Sequence, residues 1–290
     1  MIVLCLGIIY SCIIHIARSM QRFGIHSFDN IRDRISGNSS RNENQGKHFI
    51  YLLGLIITNL CFIFVILAGK FGSTSFFTAM YGVGMLPMLL FTRYVMKEKA
   101  TLQNWLGVLI IIIGCFFMGI AAQNTDSINM SLVNLRFLVL VLIVIAGISH
   151  FIIKWGKKSG HMFKDAMAAG FTAGVIACLD PILKSTGQNF SNNDSLLPAH
   201  PIGWLFFLLS FVASTSSLLI SQYAYSRRVY ASQFLPHYSV AYVTMPVFIQ
   251  MIILPDYLPG KFEIIGIITI ITGIIIFSEK EFRLLHKKLK

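Results

Sequence analysis

Apolar and polar positions fall in long blocks along this chain, not in the short alternation of a half-buried strand. Apolar runs cover 2–17, 49–69, 74–92, 105–122, 136–153, 165–184, 203–224, 231–254 and 263–278. Each is long enough, or nearly so, to cross about 30 Å of hydrocarbon at 1.5 Å of helical rise per residue. The pattern predicts an all-α, polytopic membrane protein with nine transmembrane helices.

Length decides the doubtful case. The sixth run ends in IACLDPILKS (176–185), which holds Asp180, Pro181 and Lys184. A helix stopping at Leu179 would leave 14 apolar residues from Ala166, about 21 Å and too short to cross. Asp180 is therefore expected inside the span, where a carboxylate faces a cavity or a partner. Lys184 follows one turn later on the same face, placed to pair with Asp180 and to snorkel to the outer surface. Pro181 removes a backbone hydrogen bond and disfavours helix at Asp180, which predicts a discontinuous helix. A second reading makes Asp180 the cap of a broken outer turn. Ala166, Gly170 and Gly174 predict close packing of this helix.

The first run has no basic residue ahead of it and no A-x-A-like site behind it, while Arg18 and Arg22 follow directly. It reads as a retained first span. The segment 18–48 then reads as cytoplasmic. Ile25, Phe28, Ile31 and Ile35, with Arg22, Arg32 and Arg34 between them, have amphipathic spacing that suits a helix on the anionic leaflet. GNSSRNENQGK (37–47) has linker composition; a plain solvated loop is an equal reading. The basic tail 280–290 continues the ninth helix and anchors to the same leaflet.

An internal repeat is the most informative feature. Tyr81 to Gly119 and Tyr238 to Phe277 share a Tyr, a proline shortly after (Pro87, Pro246) and an acidic turn (Glu98, Asp256). Two glycines seven apart follow in the next helix: Gly107 and Gly114, Gly266 and Gly273. RFG at 22–24 matches KSTG at 184–187, which pairs helices 1–4 with helices 6–9. The offset is five helices, so the copies enter the bilayer in opposite directions. This predicts an inverted-topology repeat in one membrane domain, with halves at 1–122 and 135–290.

Composition agrees, with 55% hydrophobic and 12% charged residues against about 25% charged in soluble domains. The net charge of +12 is a topology signal. Twenty of the 24 basic residues fall in alternate connections and the C-terminal tail; Lys70, Arg136, Lys184 and Lys261 fall on the other side. The positive-inside rule then places the N-terminus outside and the C-terminus in the cytoplasm, and nucleic-acid binding is excluded. The five cysteines all lie in apolar runs without a CxxC pair, so neither disulfides nor zinc are implied. No soluble-enzyme motif is present, no catalytic residue or cofactor is expected, and no nucleotide site drives transport.

The twice-given layout of a Gly-rich hairpin, an acidic turn (KEKATLQNW, 97–105) and a G-x6-G helix resembles the drug/metabolite transporter superfamily with its EamA-like repeats. Nine helices, QRFG (21–24), GLIITNLCFIFVILAGKFGSTSF (54–76), KSTG and ASQFLPHYSVAYV (231–243) look most like the NIPA-type magnesium transporter branch. The resemblance implies a secondary transporter working by alternating access, with a substrate site at the repeat interface near the midplane. The expected substrate is a small polar or amphipathic metabolite, with proton coupling through Asp180 or His237. A NIPA-like divalent-cation transporter and a non-transporting scaffold or assembly protein are the alternatives. Magnesium favours carboxylate oxygens, and away from the ends of the spans there is one, Asp180.

The pathway residues read from the spans are Asp180, Lys184, His237, Tyr238, Tyr81, Gln222, Asn59 and His15. Pro181, Pro236, Pro246 and Pro87 are the expected helix breaks. Tyr81 and Tyr238 form a pseudo-symmetric pair suited to line one cavity, and Ser214 to Ser217 suit a polar path. For the histidines and tyrosines, satisfied packing is the competing reading. Expected partners are the substrate and the bilayer of a cell or plasma membrane, with a homodimer as a further candidate.

Overall fold

The computed structural model describes residues 2–25, 43–71, 74–98, 100–124, 132–158, 160–190, 196–255 and 257–288, and every regular element among them is helical. In chain order these are α1 (Ile2–Ile25), α2 (Glu43–Leu60), α3 (Phe62–Phe71), α4 (Thr74–Ala79), a 3-10 turn (Met80–Gly84) and α5 (Met85–Tyr94). Then come α6 (Leu102–Asn124), α7 (Leu135–Lys158), α8 (Met162–Asn189), α9 (Pro201–Ser226), α10 (Ala231–Ile253) and α11 (Lys261–Lys288). The amphipathic segment and linker expected between α1 and α2 lie mostly outside the described residues, as do Asp256 and the side chains of the tail.

Among the described residues, seven stretches are long and apolar enough to cross a membrane: α1, α2 running into α3, α6, α7, α8, α9 and α11. The third expected span is broken into α4, the 3-10 turn and α5. The eighth, α10, has 23 residues but interleaves Gln233, Pro236, His237, Tyr238 and Gln250 with its apolar positions. Length and apolarity alone therefore stop short of nine.

Two expectations are corrected. Helix α1 does not end near residue 17; it runs to Ile25, and Arg18 and Arg22, expected in a loop, are 6% and 8% exposed. Arg18 reaches Tyr238 on α10 and Arg22 reaches carbonyls of the α9–α10 turn, contacts that a run-length reading does not register. Nor does Pro181 divide the sixth helix: α8 continues through it to Asn189, as α10 continues through Pro236 and Pro246. Of the α8 span, 83% is buried, against 22% for α7. Packing on all sides holds the helix together at the cost of one hydrogen bond at each proline. Pro87 sits in the first turn of α5, where its missing N–H leaves no intrahelical bond unmade.

Glycines set the close approaches. The most extensive interface joins α6 and α11. A Cβ on Gly107 would lie 2.6 Å from that of Phe277, one on Gly114 2.9 Å from the Gly266 carbonyl, and one on Gly273 2.9 Å from the Gly107 carbonyl. Ascending positions on α6 meet descending positions on α11, so the two run antiparallel. Elsewhere the contacts repeat. Gly7 of α1 lies against the Phe77 carbonyl and the Met80 side chain, and Gly170 of α8 against the Phe234 carbonyl and the His237 side chain. Gly24 meets Lys47 and Tyr51 of α2, as Gly187 meets Gly203 and Phe207 of α9.

At one end of the bundle, Arg22 Nε donates to the Val229 carbonyl (2.5 Å), Asp165 pairs with Arg227 (2.8 Å), and Glu98 accepts from the Ser232 N–H and hydroxyl. These tie the end of α1, the turn after α5, the start of α8 and the α9–α10 turn into one face. At the opposite end, the Asn134 N–H donates to the Ile253 carbonyl (2.8 Å). Beside it Tyr257 donates to Glu263 (2.7 Å); burial, and then this bond, push its phenol pKa up.

Candidate functional site

A cavity of about 240 Å³ opens where α1, the α2–α3 junction, α8, α9 and α10 meet. Its wall is polar on several sides: Thr58 and Asn59, Asp180, Ser214, Thr215 and Ser217, and the rings of Tyr10, Tyr238 and Tyr242. Ser214 to Leu218 and Tyr238 to Tyr242 fall in the middle of α9 and α10. The cavity therefore lies at mid-helix depth and is open on the side where Asn59, Phe62, Ser214 and Thr215 are exposed.

Backbone irregularity gathers at this wall. The helix steps from α2 to α3 at Cys61, where the Phe64 N–H reaches back three residues to the Cys61 carbonyl (3.1 Å). Pro181 and Pro246 have no N–H to give to the carbonyls of Ala177 and Tyr242, four residues earlier. Both of those residues line the cavity. Non-helical or unpaired backbone at membrane depth is tolerated where it faces such a space.

Arg18 of α1 dominates the electrostatics. Its Nη2 donates to the Tyr238 hydroxyl (2.7 Å), and its guanidinium carbon lies 3.9 Å from the centre of the same ring. Its Nε and Nη1 are buried without a hydrogen-bond partner, and among the described residues no carboxylate pairs with it. The helix that carries it is pinned from several directions. The Ser11 hydroxyl donates to the Tyr81 carbonyl and accepts from the Gly84 N–H (2.7 Å). His15 bridges the Ser11 carbonyl (2.8 Å) and the Ser239 hydroxyl (2.9 Å). Gln21 Nε2 reaches the Gly54 carbonyl (3.0 Å) and the Thr58 hydroxyl (2.6 Å). Any side chain at position 84 would strike Ser11 and His15, so this point of the close approach to α1 requires glycine.

Asp180 lies on the wall and is ion-paired with Lys184. Lys184 does not snorkel as expected: it is 1% exposed, with its ammonium 4.5 Å from the centre of the Phe211 ring. Its partner and that ring hold it inside, so it gains nothing by reaching for a distant surface.

Of the other expected residues, Tyr238 lines the cavity and Tyr81 stands behind it, its ring centre 5.8 Å from Tyr238 and 4.2 Å from Tyr242. Asn59 lines the wall while its amide donates to the Leu55 carbonyl (2.8 Å). His15 sits one layer back, near Tyr81 (4.5 Å between ring centres). Gln222 donates to Gln21 and accepts from Tyr51 (3.1 Å), away from the cavity. His237 is turned elsewhere: it contacts the Gln233 carbonyl (2.7 Å), packs edge-on against Phe163, and borders an apolar groove with Trp155, Phe171 and Ile274.

Sequence reading missed Arg18, although a signal was present. Ser11, His15, Arg18 and Arg22 recur at steps of four, three and four, the spacing of one helical face.

Residues 25–120 match the EamA-like transporter family. The match runs from the end of α1 into α6 and includes the α2–α3 junction. Comparison with curated proteins and with solved structures returned no match. With seven apolar spans and this match, the chain is an integral, multi-pass membrane protein.

Proposed function

We propose that the protein is a secondary carrier of the drug/metabolite type, passing a small polar solute through the cavity by alternating access of two inverted halves. The observation that carries this reading is a polar-walled cavity at mid-helix depth between the two sets of helices. A non-transporting scaffold has no use for such a space, and a dry core would have closed it. The partial family match supports the same class.

Several contacts support the inverted repeat and the nine-span topology. Gly7 with Phe77 and Met80, and Gly170 with Phe234 and His237, occupy equivalent places once Tyr81 is aligned with Tyr238. The equivalent helices α6 and α11 cross antiparallel at their paired glycines. The end contacts gather alternate connections on one face, as nine crossings require. We assign that Lys- and Arg-rich face to the cytoplasm, with the N-terminus opposite.

A divalent cation is a poorer fit than an organic solute. The cavity offers one carboxylate, already engaged by Lys184, beside an arginine whose charge is unanswered. Asp180 is the acid on the wall, so we place any proton coupling there and not at His237. Uptake into proteoliposomes, scanned over organic acids, amides, amines and magnesium with and without a proton gradient, tests the reading. Uptake above empty liposomes for at least one solute is expected, and its dependence on the gradient should vanish in Asp180→Asn. Leak-level flux across the whole panel would refute the carrier.

A further inference from the structure

We infer that the cavity takes the acid group of a small anionic solute, a carboxylate or a phosphate, and that Arg18 is the residue that holds it. The assignment deepens the carrier reading and rests on it.

The argument starts from a charge with nothing to answer it. Two of the three Arg18 guanidinium nitrogens are buried and unpartnered, in a residue that is only 6% exposed and that borders the cavity. Asp180, the carboxylate on the wall, is already paired with Lys184 behind it, so those two charges cancel. One positive charge is left over in a region where isolated charges are costly and mark function. An oxyanion supplies both what the guanidinium lacks, acceptor oxygens, and what the cavity lacks, a negative charge. The planar fork of N–H donors suits carboxylate and phosphate alike.

The arginine is also held ready. Tyr238 lies under the guanidinium and engages Nη2, leaving the other nitrogens free. Thr58, Ser214 and Thr215 also line the cavity and bring hydroxyl-bearing side chains for the remainder of a polar solute. A cation would meet Arg18 head on, and a neutral solute would leave its charge unmatched.

The test uses the full chain in a non-ionic maltoside detergent, which brings no phosphate of its own, and reads the rise in thermal midpoint against probe concentration. The probes are N-acetylglycinate, its neutral amide, the matched amine N-acetylethylenediamine, methyl phosphate and dihexanoyl phosphatidic acid. At least one acid is expected to stabilise at up to about 10 mM while the amide and amine do not. Methyl phosphate and the short lipid distinguish a free phosphate from a headgroup, and the acetylglycinate arm identifies a carboxylate. In Arg18→Gln the apparent affinity for the acid should fall roughly tenfold or more, the loss expected for a charge-assisted hydrogen bond. Should that variant fail to fold, Arg18→Lys keeps the charge and should weaken the acid by a smaller factor. Tyr238→Phe frees Nη2 and should retain acid binding. The assignment is overturned if no acid stabilises, if amide or amine stabilises equally, or if Arg18→Gln binds acid within about twofold of the native chain. Binding and flux separate the two proposals: acid binding without uptake sinks the carrier and keeps the site, whereas uptake of amine or amide alone does the reverse.

Discussion

Breaking the Asp180–Lys184 pair from one side is the most direct probe of the wall. In Asp180→Asn the Lys184 ammonium, 1% exposed and facing Phe211, loses its carboxylate. Removing one partner of a buried pair costs about 3–5 kcal/mol, because the other charge is left uncompensated. Asp180 borders a cavity open to water-sized molecules, so the lower end, about 3 kcal/mol, is the better figure. For a chain of this size that lowers the apparent midpoint by roughly 6 °C. Lys184→Met removes the buried charge, keeps the packing on Phe211 and leaves a carboxylate that the cavity can hydrate, so its loss should be about 1–2 kcal/mol. The double variant Asp180→Asn/Lys184→Met buries no charge and should lie within about 1 kcal/mol of the native chain. Differential scanning fluorimetry of the four proteins gives the coupling energy, expected at about 3–5 kcal/mol. If the double variant loses the sum of the singles, the pair is not what holds these groups, and the reasoning about wall charge fails. The double variant is also the right background for the Asp180 transport test, since it separates a lost carboxylate from a lost fold.

Three further outcomes follow from other contacts. Gly107→Ala or Gly114→Ala puts a methyl group within 2.6 Å of Phe277 or Ile270 on α11 and should cost about 1–3 kcal/mol; an unchanged thermal midpoint would contradict the close crossing. His237→Gln should leave probe affinity and the pH profile of uptake unchanged, because the ring borders the apolar groove and not the cavity; a shifted profile would return it to the pathway. Ser232→Ala removes a hydroxyl that donates to Glu98 and should cost about 1–2 kcal/mol, read as a lower midpoint in the same fluorimetry; an unaltered midpoint would show that the turn after α5 is not anchored there.

Much of the architecture is legible from residue order, and the reason is the solvent. Hydrocarbon tolerates few polar groups, so run length and apolarity mark α1, α6, α7, α8, α9 and α11, and the recurrence of paired glycines marks where helices approach. The Asp180–Lys184 pair is legible too, since two charges one turn apart inside a span have few other partners. What escapes is everything set by neighbours from distant sequence. Arg18 reads as a loop charge because the four-residue steps of its face mean nothing until α10 brings Tyr238 beneath it. Pro181 reads as a break because the packing that keeps α8 continuous comes from α9 and α10. His237 and Tyr238 are adjacent in sequence and point into different environments, a groove and a cavity, because successive helical positions turn by about 100°. Helix location is a one-dimensional property of transfer energy; which polar atom is left without a partner is a property of the assembled bundle, and that is where the candidate site is defined.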